Sequence, residues 1–235
     1  MDNNIKITPQ QARYLVVDYI RTTGAQWIDT GVTPTINTDA YIKTMRIKDG
    51  EVVSSSYWNI PFGQRTTNAQ FLMSCNHDGS VGADWGSITI VTGEYVVVPI
   101  ATQYTSEIRT LGGNKAFYVN GVLNSEVPLS QFSGTANYTI KIGGFNKGSS
   151  TVETRNSQFN WYNVKIWEDN ILIRNFIPAI RVSDFARGMY DKANDIFYTN
   201  AGSGTFSYGS TTGEFYWLIK EKKFMDNLIK NGGGK

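Results

Sequence analysis

Val164-Lys165-Ile166-Trp167-Glu168-Asp169-Asn170-Ile171-Leu172-Ile173 is a pair of apolar runs joined by three polar residues. Run, polar turn and run again is the pattern of a β-hairpin, because Asp and Asn tolerate the left-handed backbone that a tight reversal needs. A second hairpin is signalled where Ala116-Phe117-Tyr118-Val119 meets Val122-Leu123 across Asn120-Gly121, the pair that type I′ turns favour. Outward from these two, short β-rich runs bounded by Gly, Asn, Asp or Ser recur from Tyr14 to about Tyr208. The candidate strands are 25–28, 38–47, 57–63, 70–75, 86–91, 95–98, 102–110, 115–119, 122–126, 137–143, 159–168, 171–177, 196–198 and 205–208. No helical pattern precedes residue 214 and no fixed-period repeat is visible. Many strands without intervening helices predict an all-β sandwich or barrel and argue against a βαβ fold.

Composition agrees. The 235 residues suit one large all-β domain with extensions. Aromatics at 13% and 23 glycines against six prolines fit short strands joined by tight turns. A net charge of +2 supplies no global field for nucleic acid. The single cysteine, Cys75, allows no intrachain disulfide, so the core alone must hold the fold. The single histidine, His77, removes most His-based metal sites and triads, and Asn76-His77-Asp78-Gly79 reads as a turn.

Three segments are expected: a polar arm at 1–13, a β-sandwich at 14–209, and a linker and tail at 210–235. The N-terminus lacks the basic and apolar pattern of a secretory signal, and the apolar stretch Tyr14 to Ile20 is too short for a membrane span and contains Asp18. That predicts assembly in a cytoplasm, although a chain trimmed of its signal would read the same. Gly209-Ser210-Thr211-Thr212-Gly213 reads as a linker. Beyond it, Trp217, Glu221, Phe224 and Leu228 fall at helical spacing, and Met225 and Ile229 widen the apolar stripe. A short C-terminal helix is expected there. It packs back on the sandwich, docks a partner subunit or, the least favoured reading, contacts a membrane, and the docking reading takes Trp217, Phe224, Met225, Leu228 and Ile229 as the attachment stripe.

Several segments together resemble a known family. They are Tyr19-Ile20-Arg21-Thr22-Thr23-Gly24-Ala25-Gln26-Trp27-Ile28-Asp29-Thr30-Gly31, Phe62-Gly63-Gln64-Arg65-Thr66 and Phe117-Tyr118-Val119-Asn120-Gly121. The longest is a series: Val164 to Trp167, Ile173-Arg174-Asn175-Phe176-Ile177-Pro178, Gly188-Met189-Tyr190-Asp191, Phe197-Tyr198-Thr199-Asn200 and Gly202-Ser203-Gly204-Thr205-Phe206. In this order they are similar to the concanavalin A-like, laminin-G-like domains of tailed phages and of gut-bacterial surface proteins. The resemblance covers roughly residues 14–209. It implies a two-sheet antiparallel β-sandwich, a jelly roll, used mostly for binding or decoration. Pro178 is expected at a strand end, where a missing N–H does no harm.

Some relatives of that fold hydrolyse glycans with a Glu-x-Asp-x-x-Glu run, and this chain has none. Glu168-Asp169 is adjacent and in a turn, so the two carboxylates diverge. No catalytic residues are therefore assigned. Laminin-G-like domains often hold Ca²⁺ in rim loops, which makes Asp78, Asp84 and Asn146 the candidates for a metal, although none has a ligand spacing. Sugar faces stack on exposed aromatics. Tyr57, Trp58, Trp85 and Trp161 lie in or beside polar, Gly-rich segments, whereas Trp27 and Trp167 read as core. Trp85, between glycines and next to Asp84, is the candidate glycan platform, with Arg65 and Asn68 beside it. The expected function is a non-enzymatic virion-associated module, a phage head or tail fibre or decoration protein. Its partners would be virion proteins or itself in a homo-oligomer such as a trimer, with host-surface glycan as a further ligand. The alternative is a glycan-binding adhesin of a bacterial surface; a glycoside hydrolase ranks third.

Overall fold

The computed structural model describes residues 13–48, 58–66, 69–91, 94–146, 149–154 and 158–216. In chain order they form β1 (Tyr14–Val17), β2 (Ile20–Arg21), β3 (Ile28–Asp29), β4 (Thr38–Lys48), β5 (Trp58–Arg65), β6 (Gln70–Asn76), β7 (Ser80–Gly86), β8 (Ile88–Thr89), β9 (Val96–Val97), β10 (Gln103–Leu111), β11 (Asn114–Val119), β12 (Val122–Pro128), β13 (Lys141–Ile142), β14 (Phe145–Asn146), β15 (Val152–Glu153), β16 (Gln158–Glu168), β17 (Ile171–Arg181), β18 (Arg187–Asp191), β19 (Ile196–Thr199), β20 (Ser207–Tyr208) and β21 (Thr211–Tyr216). Among the described residues there is no α-helix, only a 3-10 turn at Leu129–Gln131. None of their helices is long and apolar enough to cross a membrane.

Alternation builds the sheets. In β4, Ala40, Ile42 and Thr44 are buried while Tyr41, Lys43 and Met45 between them are half-exposed. Neighbouring strands repeat that pattern in register, so Phe117, Ile108, Ala40 and Ile166 line up across β11, β10, β4 and β16. The larger sheet runs β12-β11-β10-β4-β16-β17-β1-β21, and the smaller β3-β13-β5-β6-β7-β8. The pairings are antiparallel in both. Their inner faces share one apolar core, with Ile42, Ile108, Phe117, Val164 and Phe176 from the larger sheet and Phe62, Phe71, Met73, Val81 and Trp85 from the smaller. Each such side chain contributes roughly 1.5–3 kcal/mol relative to exposure. This is the two-sheet sandwich that the sequence predicts.

Both hairpins form. Asn120 and Gly121 take φ of 52° and 77°, the two left-handed positions of a type I′ turn, with Val119 opposite Val122. The other reversal is tighter than its three polar residues suggest. Glu168 pairs with Ile171, and the turn is Asp169-Asn170 alone, at φ of 50° and 63°.

Three expectations need correction. Pro178 does not end a strand, because β17 continues to Arg181. The proline sits where β17 changes neighbour, after its last β16 partner, Phe176, and before its first β1 partner, Ala179. A missing N–H is tolerated at such a handover. The Gly82–Gly86 stretch, outside the candidate strands as far as Trp85, forms most of β7, paired with β6 on one side and β8 on the other. The sandwich also does not stop at residue 209. Residues 211–216, taken as linker and helix start, form β21 against β1, with Tyr14 opposite Tyr216. Two threonines, a phenylalanine and a tyrosine are good strand formers, and β1 had an edge left to pair. The expected C-terminal helix, with Trp217, Phe224, Met225, Leu228 and Ile229, lies outside the described residues, as does the arm before Arg13.

Candidate functional site

The sequence-derived glycan platform is overturned at its centre. Trp85 is 0% exposed. It points into the core between the sheets, its ring 4.4 Å from that of Phe132 and 5.2 Å from Lys115 Nζ. A ring with no open face cannot stack on a sugar. The physical cause is the alternation Val81-x-Ala83-x-Trp85, which puts all three on the inner face of β7. Arg65 is half-buried at the end of β5 and lies near Asp84, on the other side of β7 from Trp85. Asn68, Tyr57 and the side chain of Trp58 lie outside the described residues. Trp161 is also in the core, whereas Trp27 and Trp167, read as core, are half-exposed.

Lys115 explains part of Trp85's burial. This lysine is fully buried, and the three N–H groups of its ammonium are shared among four acceptors: the Ile36 and Thr38 carbonyls, Asp39 Oδ1 at 2.7 Å and Thr110 Oγ1. Burial pushes its pKa down, and Asp39 opposes that. A saturated cation under an indole links the larger sheet to the smaller.

The candidate metal and catalytic groups are scattered. Asp78 caps the β6–β7 turn by accepting from Ser80 N at 2.8 Å. Asp84 lies six residues further along the chain, roughly 15–20 Å at strand rise. Burial raises its pKa, while Thr89 and Arg65 pull the other way. Asn146, in β14, donates to the Ser149 and Ser150 carbonyls. Among the described residues, no group of three or more His, Cys, Asp or Glu side chains gathers as a metal site. His77 sits in its turn with Nδ1 2.9 Å from Asn76 Oδ1. Glu168 accepts from Thr35 and Thr38, and Asp169 accepts from Asn37, so each carboxylate of that pair is engaged separately. Asp191, 0% exposed, accepts from the backbone N–H of Asn175 and Ala193 and from Asn194 Nδ2, a turn cap.

The outer face of the larger sheet assembles a different group. Tyr118, Glu107, Tyr41, Lys165 and Asn175 are successive register partners across β11, β10, β4, β16 and β17. Their inward neighbours are core residues, so alternation turns this row outward, and all five are half-exposed. One step along β4, Thr105, Lys43 and Asn163 form a parallel row. An irregularity between Trp161 and Asn163 turns Tyr162 out as well, edge-on to Tyr19 at 5.8 Å. Cations lie against these rings: Lys165 on Tyr41 at 5.8 Å, Lys43 on Tyr162 at 5.9 Å, Arg109 on Tyr118 at 5.7 Å and Arg21 on Tyr19 at 5.2 Å. Arg21 Nε also donates to Asn160 Oδ1 at 2.7 Å. Glu107 meets Arg109 at 3.1 Å. Burial raises the Glu107 pKa, and burial followed by the Glu107 charge raises that of Tyr41. Rings, amides, cations and the Glu107 carboxylate thus share the outer face of this sheet, half-exposed or exposed.

No protein family matches the chain, and no curated protein does. Solved structures do. The chain is similar to a Bacteroides ovatus protein named as a "putative carbohydrate binding protein", with a TM-score of 0.53 at 11% identity over 86% of this chain. It spans 62% of that protein's length. A heptameric pentraxin from Limulus polyphemus gives 0.44 at 12% identity, covering 88% of this chain and 98% of the pentraxin. The carbohydrate-binding domain (CBM40) of a Ruminococcus gnavus sialidase gives 0.39 at 12% identity, covering 61% of this chain and 89% of that domain. What the chain shares with the first of these is the fold.

Proposed function

We propose that this domain is a non-enzymatic carbohydrate-binding module that holds its ligand on the outer face of the larger sheet. The observation that carries the reading is the register row Tyr118–Glu107–Tyr41–Lys165–Asn175. Half-exposed tyrosine rings offer apolar surface to the C–H faces of a sugar, and amide and carboxylate groups beside them match its hydroxyls. Five strands fix the spacing, so the site needs no ordering of loops on binding. The likeness to a protein named for carbohydrate binding supports the same reading.

The module's place is proposed to be a virion, as part of a fibre or a decoration protein. The motif resemblance to phage-borne domains supports this, as do the extensions outside the matched region. A bacterial surface adhesin would use the same face, and capsid and tail genes beside the coding sequence separate the two. A glycan array probed with wild type and Tyr41→Ala tests the binding itself. Loss of one stacking ring is expected to weaken binding about tenfold or more, from the ~1–3 kcal/mol typical of an aromatic anchor. An array on which wild type binds nothing, or the variant binds equally well, would sink the proposal. Release of sugar products from a bound polysaccharide would overturn its non-enzymatic part.

A further inference from the structure

We infer that the glycan is acidic, a chain carrying carboxylate or sulfate groups; this rests on the reading of the larger sheet's outer face as the glycan site. The argument is one of charge. The face carries Arg21, Lys43, Arg109 and Lys165 against Glu107, an excess of three positive charges, while the whole chain has a net +2. Counting Glu126 on the edge strand β12 still leaves an excess of two. The segment 214–235 carries a further +2, so the remainder of the chain is net negative by two to three, and the face stands out against it.

These cations are paired differently from several others, although Arg187, over the Tyr208 ring at 4.8 Å, resembles them. Elsewhere Lys115 has Asp39 at 2.7 Å, Lys141 has Asp29 at 2.6 Å and Arg181 has Asp184 at 2.6 Å. On this face Arg109 alone has an ion-pair partner, Glu107. Among the described residues Arg21, Lys43 and Lys165 have tyrosine rings beside them and no carboxylate in ion-pair reach. Lys165 is the register partner of Tyr41, two residues from Lys43 on β4, so the two lysines are diagonal neighbours about 7–8 Å apart at Cα. Like charges so placed repel, and an anion laid between them relieves the repulsion. The ring contacts hold both ammonium groups over the face, and Glu107, within electrostatic reach of Lys165, offsets the pair only in part. A single-stranded nucleic acid could also use rings and cations on a sheet. Glu107, between Tyr41 and Tyr118 in the middle of the row, repels phosphate and a sugar's carboxylate or sulfate alike, so charge does not separate the two ligands. Asn163, Asn175 and Thr105 instead offer donors and acceptors to hydroxyls.

The test is calorimetric titration of the full chain at physiological salt with polygalacturonate, heparin, dextran and a thymidine oligonucleotide. The variants are Lys43→Gln/Lys165→Gln, Tyr41→Ala and Lys48→Gln, the last an exposed lysine at the end of β4 as control. Cooperative melting of every variant well above the titration temperature establishes folding. The inference expects one of the two acidic polymers to bind, the double variant to weaken it tenfold or more, and Lys48→Gln to leave it unchanged. Tyr41-dependent binding of dextran with no loss in the double variant would overturn the acidic class and keep the face. Binding of an acidic polymer that Tyr41→Ala and the double variant leave unchanged would overturn the face reading itself, as would absence of any glycan binding. Tighter binding of the oligonucleotide than of either acidic polymer would replace glycan with nucleic acid.

Discussion

Gly82-Ala83-Asp84-Trp85-Gly86 and Ala40-Tyr41-Ile42-Lys43-Thr44 make opposite use of an aromatic residue beside a polar or charged one. The first reads as a glycine-rich rim with a tryptophan displayed on it, yet Trp85 is wholly buried. The second reads as an ordinary strand, yet Tyr41 and Lys43 stand half-exposed on the outer face. In both, parity along the strand decides. Trp85 shares its side with Val81 and Ala83, while Tyr41 is opposite in parity to Ala40 and Ile42. Flanking glycines say how tightly backbones approach, and they do not say which way a ring points. At Gly86, with φ of 64°, an added Cβ would lie 2.9 Å from Phe132, the ring that closes over Trp85.

The comparison breaks most visibly at Trp85. Trp85→Ala empties a core site between two sheets and should cost about 3–5 kcal/mol. For a domain of this size that is a fall on the order of 10 °C in melting temperature. Binding per folded molecule should not change, and a variant that keeps its stability but loses glycan would restore Trp85 as a ligand residue. Tyr41→Ala should do the reverse, costing about 1 kcal/mol or less in chemical denaturation while binding falls. A stability loss as large as that of Trp85→Ala would show that the ring is structural.

The smallest effect concerns Glu107. Burial raises its folded-state pKa and Asp39 adds to this, against Arg109 and Lys165. Between the ordinary glutamate value and the raised one, the folded domain holds a proton that the unfolded chain has released. Stability therefore falls as pH climbs through that window. Glu107→Gln removes this dependence. Its melting temperature relative to wild type should rise from pH 4 to pH 7, and a difference that shrinks over that range would show that the Arg109 pair outweighs burial.

Much of the fold was legible from local chemistry. The Asn120-Gly121 reversal needs two left-handed residues and has them, and glycine stands at two other positive-φ positions of the quoted motif, Gly24 and Gly31, at 110° and 68°. Short elements escaped because they have no period to read: β14 and β15 have two residues each. β21 escaped because its Ser, Thr and Gly surroundings match a linker, and only the vacant edge of β1 makes it a strand. The binding face was not legible for a related reason. Tyr118, Glu107, Tyr41, Lys165 and Asn175 come from five strands and become neighbours only through their pairing. Each is unremarkable alone. The alternation of β4 could have marked Tyr41 as outward, but nothing local says what stands next to it.

The pairing of Tyr14 with Tyr216 brings the two ends of the described domain side by side, as antiparallel partners about 5 Å apart at Cα. A domain closed in this way behaves as a cassette. It can be spliced into a surface turn of another protein whose ends need part by no more than a strand spacing, leaving both host and guest sheets unstretched. It can also be permuted, with a short bridge joining 216 to 14 and new ends opened at Asn120-Gly121, a turn where an added Cβ at Gly121 would meet nothing within 4 Å. Any load applied through both flanking segments would then be borne at one corner, pulling β1 and β21 apart one hydrogen-bonded pair at a time and sparing the other strands until that edge has opened.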